Sequence, residues 1–248
     1  MKLLWAGLLV AGIGCSAPPT ASAPPTTSAY GEPLEEVLGV IRERSLALQS
    51  AQYKLVGHNV FDHEPTKLKM TVKYEKNHWQ QRIDGKFFYR TETIHETTSK
   101  SGGDQTELKT RFLTEVCDGK RIYRMLKSED ETKAENVRIP PENASTPDES
   151  AKYRILDKYT TYKLLDDDNV DGRVTFVIES VRKLPKFYWR TLTYHCKETG
   201  LPLRTVTFDE KGKIDSESMM SEVVVNPQID PSRFTFVAPK GVVVRKIP

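Results

Sequence analysis

Asp167, Asn169, Asp171 and Gly172, in the stretch DDDNVDGR, follow the D-x-N-x-D-G opening of a calcium-binding loop. Such a loop closes with a bidentate glutamate at its twelfth position. Here that position is Ile178, and Glu179 stands one step late. The same letters read more simply as a hairpin turn at Asp171-Gly172. Five histidines, His58, His63, His78, His95 and His195, show no metal-ligand spacing, and Asp62-His63-Glu64 before Pro65 reads as a solvated polar turn. No G-x-S-x-G, H-E-x-x-H or glycine-rich phosphate loop occurs, and neither Cys117 nor Cys196 stands in a pattern that activates a nucleophile. These residues predict no enzyme, no metal site and no cofactor.

Cys15 is the residue with chemistry to do. Lys2 gives a short positive start, and Leu3 to Ile13 is an apolar run well under the roughly 18 to 20 residues that span a bilayer. That is the anatomy of a secretory signal peptide, which is removed. Small residues before a cysteine at the end of such a run resemble the lipobox of bacterial lipoproteins, with Gly12 where leucine is usual. The resemblance implies cleavage after residue 14 and diacylation of Cys15. The alternative is a plain signal peptide cut near Ala21 or Ala23, with Cys15 discarded. Residues 15–33 are rich in Ser, Ala, Pro and Thr, a composition that cannot bury a core and suits a tether between an anchor and a folded domain.

One acyl chain anchors a protein marginally and two anchor it stably. A lipidated Cys15 therefore predicts a lipoprotein held to a membrane of the bacterial cell envelope and facing the periplasm. Ser16 stands where aspartate marks inner-membrane retention in some bacteria, which points to the outer membrane. Cys117 and Cys196 both fall in strand-like segments of an exported chain; a disulfide between them and a pair of buried thiols are both open readings.

The elements that position these residues follow from periodicity. Residues 34–248 form one domain, large enough for a substantial core. Its 37 basic and 34 acidic residues are interspersed, and a formal charge of +3 leaves no nucleic-acid footprint. A monomer is expected. Leu34, Val37, Leu38, Ile41, Ser45 and Leu48 recur at helical spacing beside Pro33. From Gln52 the period becomes two: Leu68, Met70, Val72 and Tyr74 alternate with Lys67, Lys69, Thr71 and Lys73. Further strands are predicted at 52–62, 78–84, 86–94, 108–117, 120–127, 173–182, 187–197, 202–209, 214–225 and 233–237, with turns at Asp84-Gly85, Asp118-Gly119, Asp171-Gly172, Thr199-Gly200 and Lys211-Gly212. Residues 128–150 are a polar interruption, and the tyrosines and leucines from Tyr153 to Leu165 predict a second helix over 149–166. The expected class is α+β, a large antiparallel meander with helices on one layer.

The C-terminal stretch resembles the LolA/LolB-like family of outer-membrane lipoprotein carriers and receptors. Gly200-Leu201-Pro202, Asp209 to Lys213, Asn226-Pro227, and Phe234-Thr235-Phe236 followed by Pro239, Gly241 and Val242 carry the resemblance. A shorter match lies at Asp118-Gly119-Lys120 with Tyr123, or alternatively at the turn in RIDGKFFYR. The resemblance implies a strongly curved antiparallel sheet, an unclosed β-barrel, with helices forming a lid over its concave face. It implies an apolar cavity for the acyl chains of lipoproteins or lipids, where each buried methylene is worth about 0.8 kcal/mol. On that reading the walls are Leu68, Met70, Val72, Trp79, Val174, Phe176, Ile178 and Trp189, with Leu38 and Ile41 from the lid; ordinary core packing is the competing reading of each. Two departures stand out: the family's soluble carriers have no lipobox, and Lys76-Asn77 stands where many carriers have Arg-Pro. The polar segment 91–110 reads as an expansion atypical of the family. A carrier or receptor is thus expected, and the alternative is an envelope sensor domain of the same fold that signals to a protein partner.

Overall fold

A computed structural model of the chain describes residues 32–63, 68–101, 106–128, 132–138, 149–154, 159–184 and 187–247. Cys15 and residues 15–31 of the expected tether lie outside the described residues, and residues 32–33, expected in the tether, belong to α1. The described residues begin with helix α1 (Glu32–Ala47) and continue through β1 (Ser50–His63), β2 (Leu68–Ile83), β3 (Lys86–Ser101), β4 (Thr106–Cys117), β5 (Arg121–Lys127) and β6 (Thr132–Arg138). A single 3-10 turn (Ala151–Arg154) precedes β7 (Thr160–Val170), β8 (Arg173–Leu184), β9 (Phe187–Cys196), β10 (Pro202–Phe208) and β11 (Ile214–Val225). A second 3-10 turn (Pro231–Phe234) and β12 (Val244–Ile247) end it. The twelve strands among the described residues form one sheet in the order β12-β6-β5-β4-β3-β2-β1-β11-β10-β9-β8-β7, with β12 first and β7 last in that order. Every pairing is antiparallel except that of β12 with β6. The α+β class and the unclosed sheet are as expected.

The hairpin turns obey local chemistry. At Asp84-Gly85 and Asp171-Gly172 both residues have positive φ, 49° and 74° in the first and 51° and 76° in the second. That matches the type I′ turn, whose twist suits the flanking strands. The calcium-like stretch is therefore the end of β7 and a hairpin turn, with Asp167 paired to Lys197 and Ile178 fully buried.

Three expectations are corrected. The described residues of 149–166 hold no α-helix: Ala151–Arg154 is a 3-10 turn, and Thr160–Val170 is a strand that pairs with β8 around an irregularity between Leu165 and Asp168. The run Thr160-Thr161-Tyr162 is β-branched and aromatic, and pairing rewards it more than the spacing of the tyrosines rewards a helix. The segment 233–237 is not a strand either; it begins inside the 3-10 turn, capped by the Asp230 carboxylate accepting from the Ser232 N–H at 2.8 Å. The strands predicted at 68–74 and 78–84 are one, and within 91–110 the described residues belong to the paired strands β3 and β4.

Cys117 and Cys196 are buried and in no disulfide. They sit on β4 and β9, six strand positions apart, about 29 Å along the sheet at ~4.8 Å per strand. No disulfide joins them, because strand pairing elsewhere separates them.

Helix α1 buries Leu34, Val37, Leu38 and Ile41 against Ile178 and Tyr153, flanked by Tyr162, Leu164 and Phe176. His195, fully buried, ties this region together. Its Nδ1–H donates to the Gly200 carbonyl at 3.0 Å, which leaves Nε2 to accept from the Tyr153 hydroxyl at 2.8 Å. On the opposite face the C-terminal segment crosses the sheet: Arg233 lies 4.4 Å over the Trp79 ring, Phe234 meets Phe88, and Phe236 stacks on Tyr123 at 5.0 Å.

Candidate functional site

One row of cross-strand partners defines the site. Tyr162 on β7 pairs with Ser180 on β8, Ser180 with Thr191 on β9, Thr191 with Thr207 on β10, Thr207 with Ser216 on β11, and Ser216 with Asn59 on β1. Residues of this row, with Val60, Phe61, Thr160, Arg182, Trp189 and Asp215, line a cavity of about 420 Å³. In a flat sheet β1 and β7 would lie about 24 Å apart, at ~4.8 Å per strand. Their meeting around one cavity shows that the sheet curls toward this side. Tyr162, Phe176 and Ile178 share the side, so α1 covers one end of the concave face and leaves the cavity open.

The walls are amphipathic rather than greasy. The Thr191 and Thr207 hydroxyls lie 3.1 Å apart. Burial, then the nearby Asp209 charge, holds the Asp215 carboxyl above the usual range. Against this polar floor, Phe61 and Trp189 remain 40% and 37% exposed. Large apolar rings left open inside a concavity of this volume are what a small-molecule site offers.

The concave face continues across β2–β4 with a polar lining. His78, fully packed and stacked on Tyr53 at 4.7 Å, has Nε2 3.2 Å from Gln80 Oε1 and Nδ1 2.8 Å from Thr91 Oγ1. The amide oxygen only accepts, so Nε2 carries the proton and Nδ1 accepts from the threonine hydroxyl. Burial, reinforced by Lys76, pushes the His78 pKa down to about 3. Burial also lowers Lys76 and His95, and raises the Tyr74 phenol.

Of the residues expected to wall a cavity, Trp189 does line it. Leu38, Ile41 and Ile178 are core beneath α1, and Phe176 packs on that core with Lys197 4.6 Å over its ring. Val72 is buried and Met70 half-buried on the concave side of β2, pairing with Asn59 and Phe61. Val174 is 51% exposed near the turn end of β8. Trp79 lies on the convex face beneath Arg233. Leu68 begins β2, and its side chain lies outside the described residues. Sequence reasoning missed Phe61, Thr160, Tyr162, Thr191, Thr207 and Ser216. Alternation within β1, β9, β10 and β11 was the available signal, and Tyr162 was hidden by its assignment to a helix.

Neither a family model nor a curated protein sequence matches this chain. Solved structures do. The Pseudomonas aeruginosa MucA/MucB complex matches at 13% identity and TM-score 0.48, covering 82% of this chain and 60% of that one, so the chain spans about three-fifths of the length of the MucB chain it matches. A domain described as an outer membrane lipoprotein-sorting protein, from Vibrio parahaemolyticus, matches at 9% identity and TM-score 0.32, covering 81% and 96%. A LolA superfamily protein from Nitrosomonas europaea matches at 8% identity and TM-score 0.27, covering 82% and 97%. The unclosed antiparallel sheet with a helix over one end of its concave face agrees with the half-barrel that the LolA/LolB-like resemblance of the sequence predicts, with one α-helix among the described residues where a lid of helices was expected.

Proposed function

We propose that this protein is a membrane-tethered envelope lipoprotein that binds acyl chains of lipoproteins or lipids on the concave face, as a carrier or receptor. The observation that carries the reading is the pair Phe61 and Trp189, large apolar rings kept open to a cavity of about 420 Å³. Covering such surface with an acyl chain is favourable by about 25 cal/mol per Å². The hydroxyl-rich row beneath them suits a ligand that slides and leaves better than one locked in place. No helix among the described residues is long and apolar enough to cross a membrane, and the anchor in this reading is Cys15. Cys15→Ser is expected to shift the protein to the soluble exported fraction and to abolish palmitate labelling; unchanged fractionation with labelling retained overturns the anchor.

Fluorescence tests the cavity. Titrating detergent-free Cys15→Ser protein with a fatty acyl probe should give saturable quenching that Trp189→Phe removes and Trp79→Phe leaves, because of these two rings Trp189 lines the cavity and Trp79 lies on the convex face. Filling the cavity by Thr207→Trp should weaken binding about tenfold, ~1.4 kcal/mol. A folded protein that binds no acyl probe and copurifies with no lipid removes this reading. The second reading, a protein-binding sensor domain, would then take over. It is favoured by the place of β7 at the end of the strand order and by the convex cleft beside it, lined by Tyr159, Val181 and Tyr188.

A further inference from the structure

The concave face of β2–β4 sets a lysine, Lys76, among polar and basic side chains. Register places Tyr74, His95 and Arg111 in one row and Lys76, Thr93 and Leu113 in the next. Alternation turns both rows to the cavity side, since Tyr74 pairs with Gly57 and the concave Asn59 is two residues further along β1, about 7 Å away. Tyr74 lies flat across Gly57. A Cβ there would sit 2.4 Å from its hydroxyl, and the hydroxyl reaches Ser218 on β11. The Tyr74 and His95 rings are 6.3 Å apart.

Lys76 is half-buried between these rows and forms no salt bridge among the described residues. The carboxylate whose charge reaches it is Glu115. Both Glu115 oxygens are engaged elsewhere: Oε1 accepts from the Tyr89 hydroxyl at 2.6 Å and Oε2 from Arg124 Nε at 2.5 Å. The other carboxylate at a concave position of these strands, Glu107, pairs with Lys109 at 2.7 Å. Lys76 and Arg111 both act on His95 and hold it toward its neutral form, so the three groups feel one another. A half-buried ammonium with no carboxylate in salt-bridge contact costs free energy that an incoming anion recovers.

We propose that Lys76, together with Arg111 and His95, forms an anion-binding subsite on the concave face for a carboxylate or phosphate group. The Tyr74 row abuts the Asn59–Phe61 wall, so an amphiphile held by its head at Lys76 can lay its chain toward Trp189. That chain-bearing form rests on the acyl reading above, whereas the anion site itself does not.

Four probes separate the two: dodecanoate, dodecyl phosphate, uncharged dodecanol and inorganic phosphate, titrated calorimetrically into the Cys15→Ser protein below micelle-forming concentrations. Dodecanoate and dodecyl phosphate should bind about tenfold tighter than dodecanol. Lys76→Met should erase that advantage while leaving dodecanol affinity unchanged, and Lys76→Arg should retain most of it. Lys76→Met removes a half-buried charge and is expected to melt no lower than the parent; Arg111→Gln supplies a second variant in case it does. Equal affinity for dodecanoate and dodecanol, unaltered by Lys76→Met, overturns the anion site and leaves the acyl reading standing. Binding of inorganic phosphate that Lys76→Met abolishes, with neither acyl probe bound, supports a site for a free anion and removes the acyl reading. Failure of all four probes to bind overturns both.

Discussion

Lowering the pH from 6.5 to 4.5 is expected to destabilise the fold by about 2 to 3 kcal/mol through His78 alone. The ring is buried, stacked on Tyr53 and wedged between Gln80 and Thr91, and its folded pKa is pushed down to about 3. In the unfolded chain the same ring titrates near 6.5. Between those two values the unfolded state holds a proton that the folded state refuses. Stability is therefore full above about pH 6.5 and falls as pH drops, at up to ~1.4 kcal/mol per pH unit. His95 acts in the same direction, lowered by burial and then by Lys76 and Arg111. Urea denaturation at half-unit steps of pH measures the slope. His78→Gln, which has no proton to refuse, should flatten it; an equal slope in the variant, or stability that rises on acidification, contradicts the assignment.

Gly200→Ala is expected to cost about 3 kcal/mol, enough to unfold a marginal domain. Gly200 has φ +71°, where a Cβ is strained, and an added Cβ would stand 2.6 Å from the Ile41 carbonyl oxygen and 3.1 Å from the Ser45 nitrogen. Those are backbone atoms of α1, so relief requires the helix to lift from the β9–β10 turn and from the His195–Tyr153 hydrogen bond beneath it. Gly172→Ala is the control. Its φ is +76°, yet nothing lies within 4 Å of the added carbon, so it should cost only the backbone strain, about 1 kcal/mol. Thermal or urea melts of the pair give the difference directly. Equal losses would mean that α1 does not press on Gly200.

These two residues illustrate how far local letters reach. Thr199-Gly200 was legible as a turn because glycine supplies positive φ whatever surrounds it. That its α-hydrogen faces a helix spanning residues 32–47 was not legible, because that contact joins ends of the domain which no local pattern relates. His78 was one of five histidines without metal spacing, and only the register that sets it beside Tyr53 and Thr91 gives it a role. Likewise β6 and β12 went unread: Thr132–Arg138 is polar and β12 is short, and each is a strand through its pairing.

By itself, the sequence determined helix α1, most of the strands and the positive-φ hairpins, because amphipathic period and turn chemistry act over a few residues. The curved, unclosed sheet followed from the resemblance of the C-terminal stretch. Only the tertiary structure decided which face of each strand is concave. Alternation offers Trp79 and Trp189 two faces each, and the curl of twelve paired strands assigns the first to the convex side and the second to the cavity. The same non-local pairing keeps Cys117 from Cys196, draws β1 and β7 around one cavity, and collects Lys76, His95 and Arg111 on one surface. Curvature and register are properties of the whole sheet, set by pairings between segments far apart in the chain, and no window of the sequence contains them.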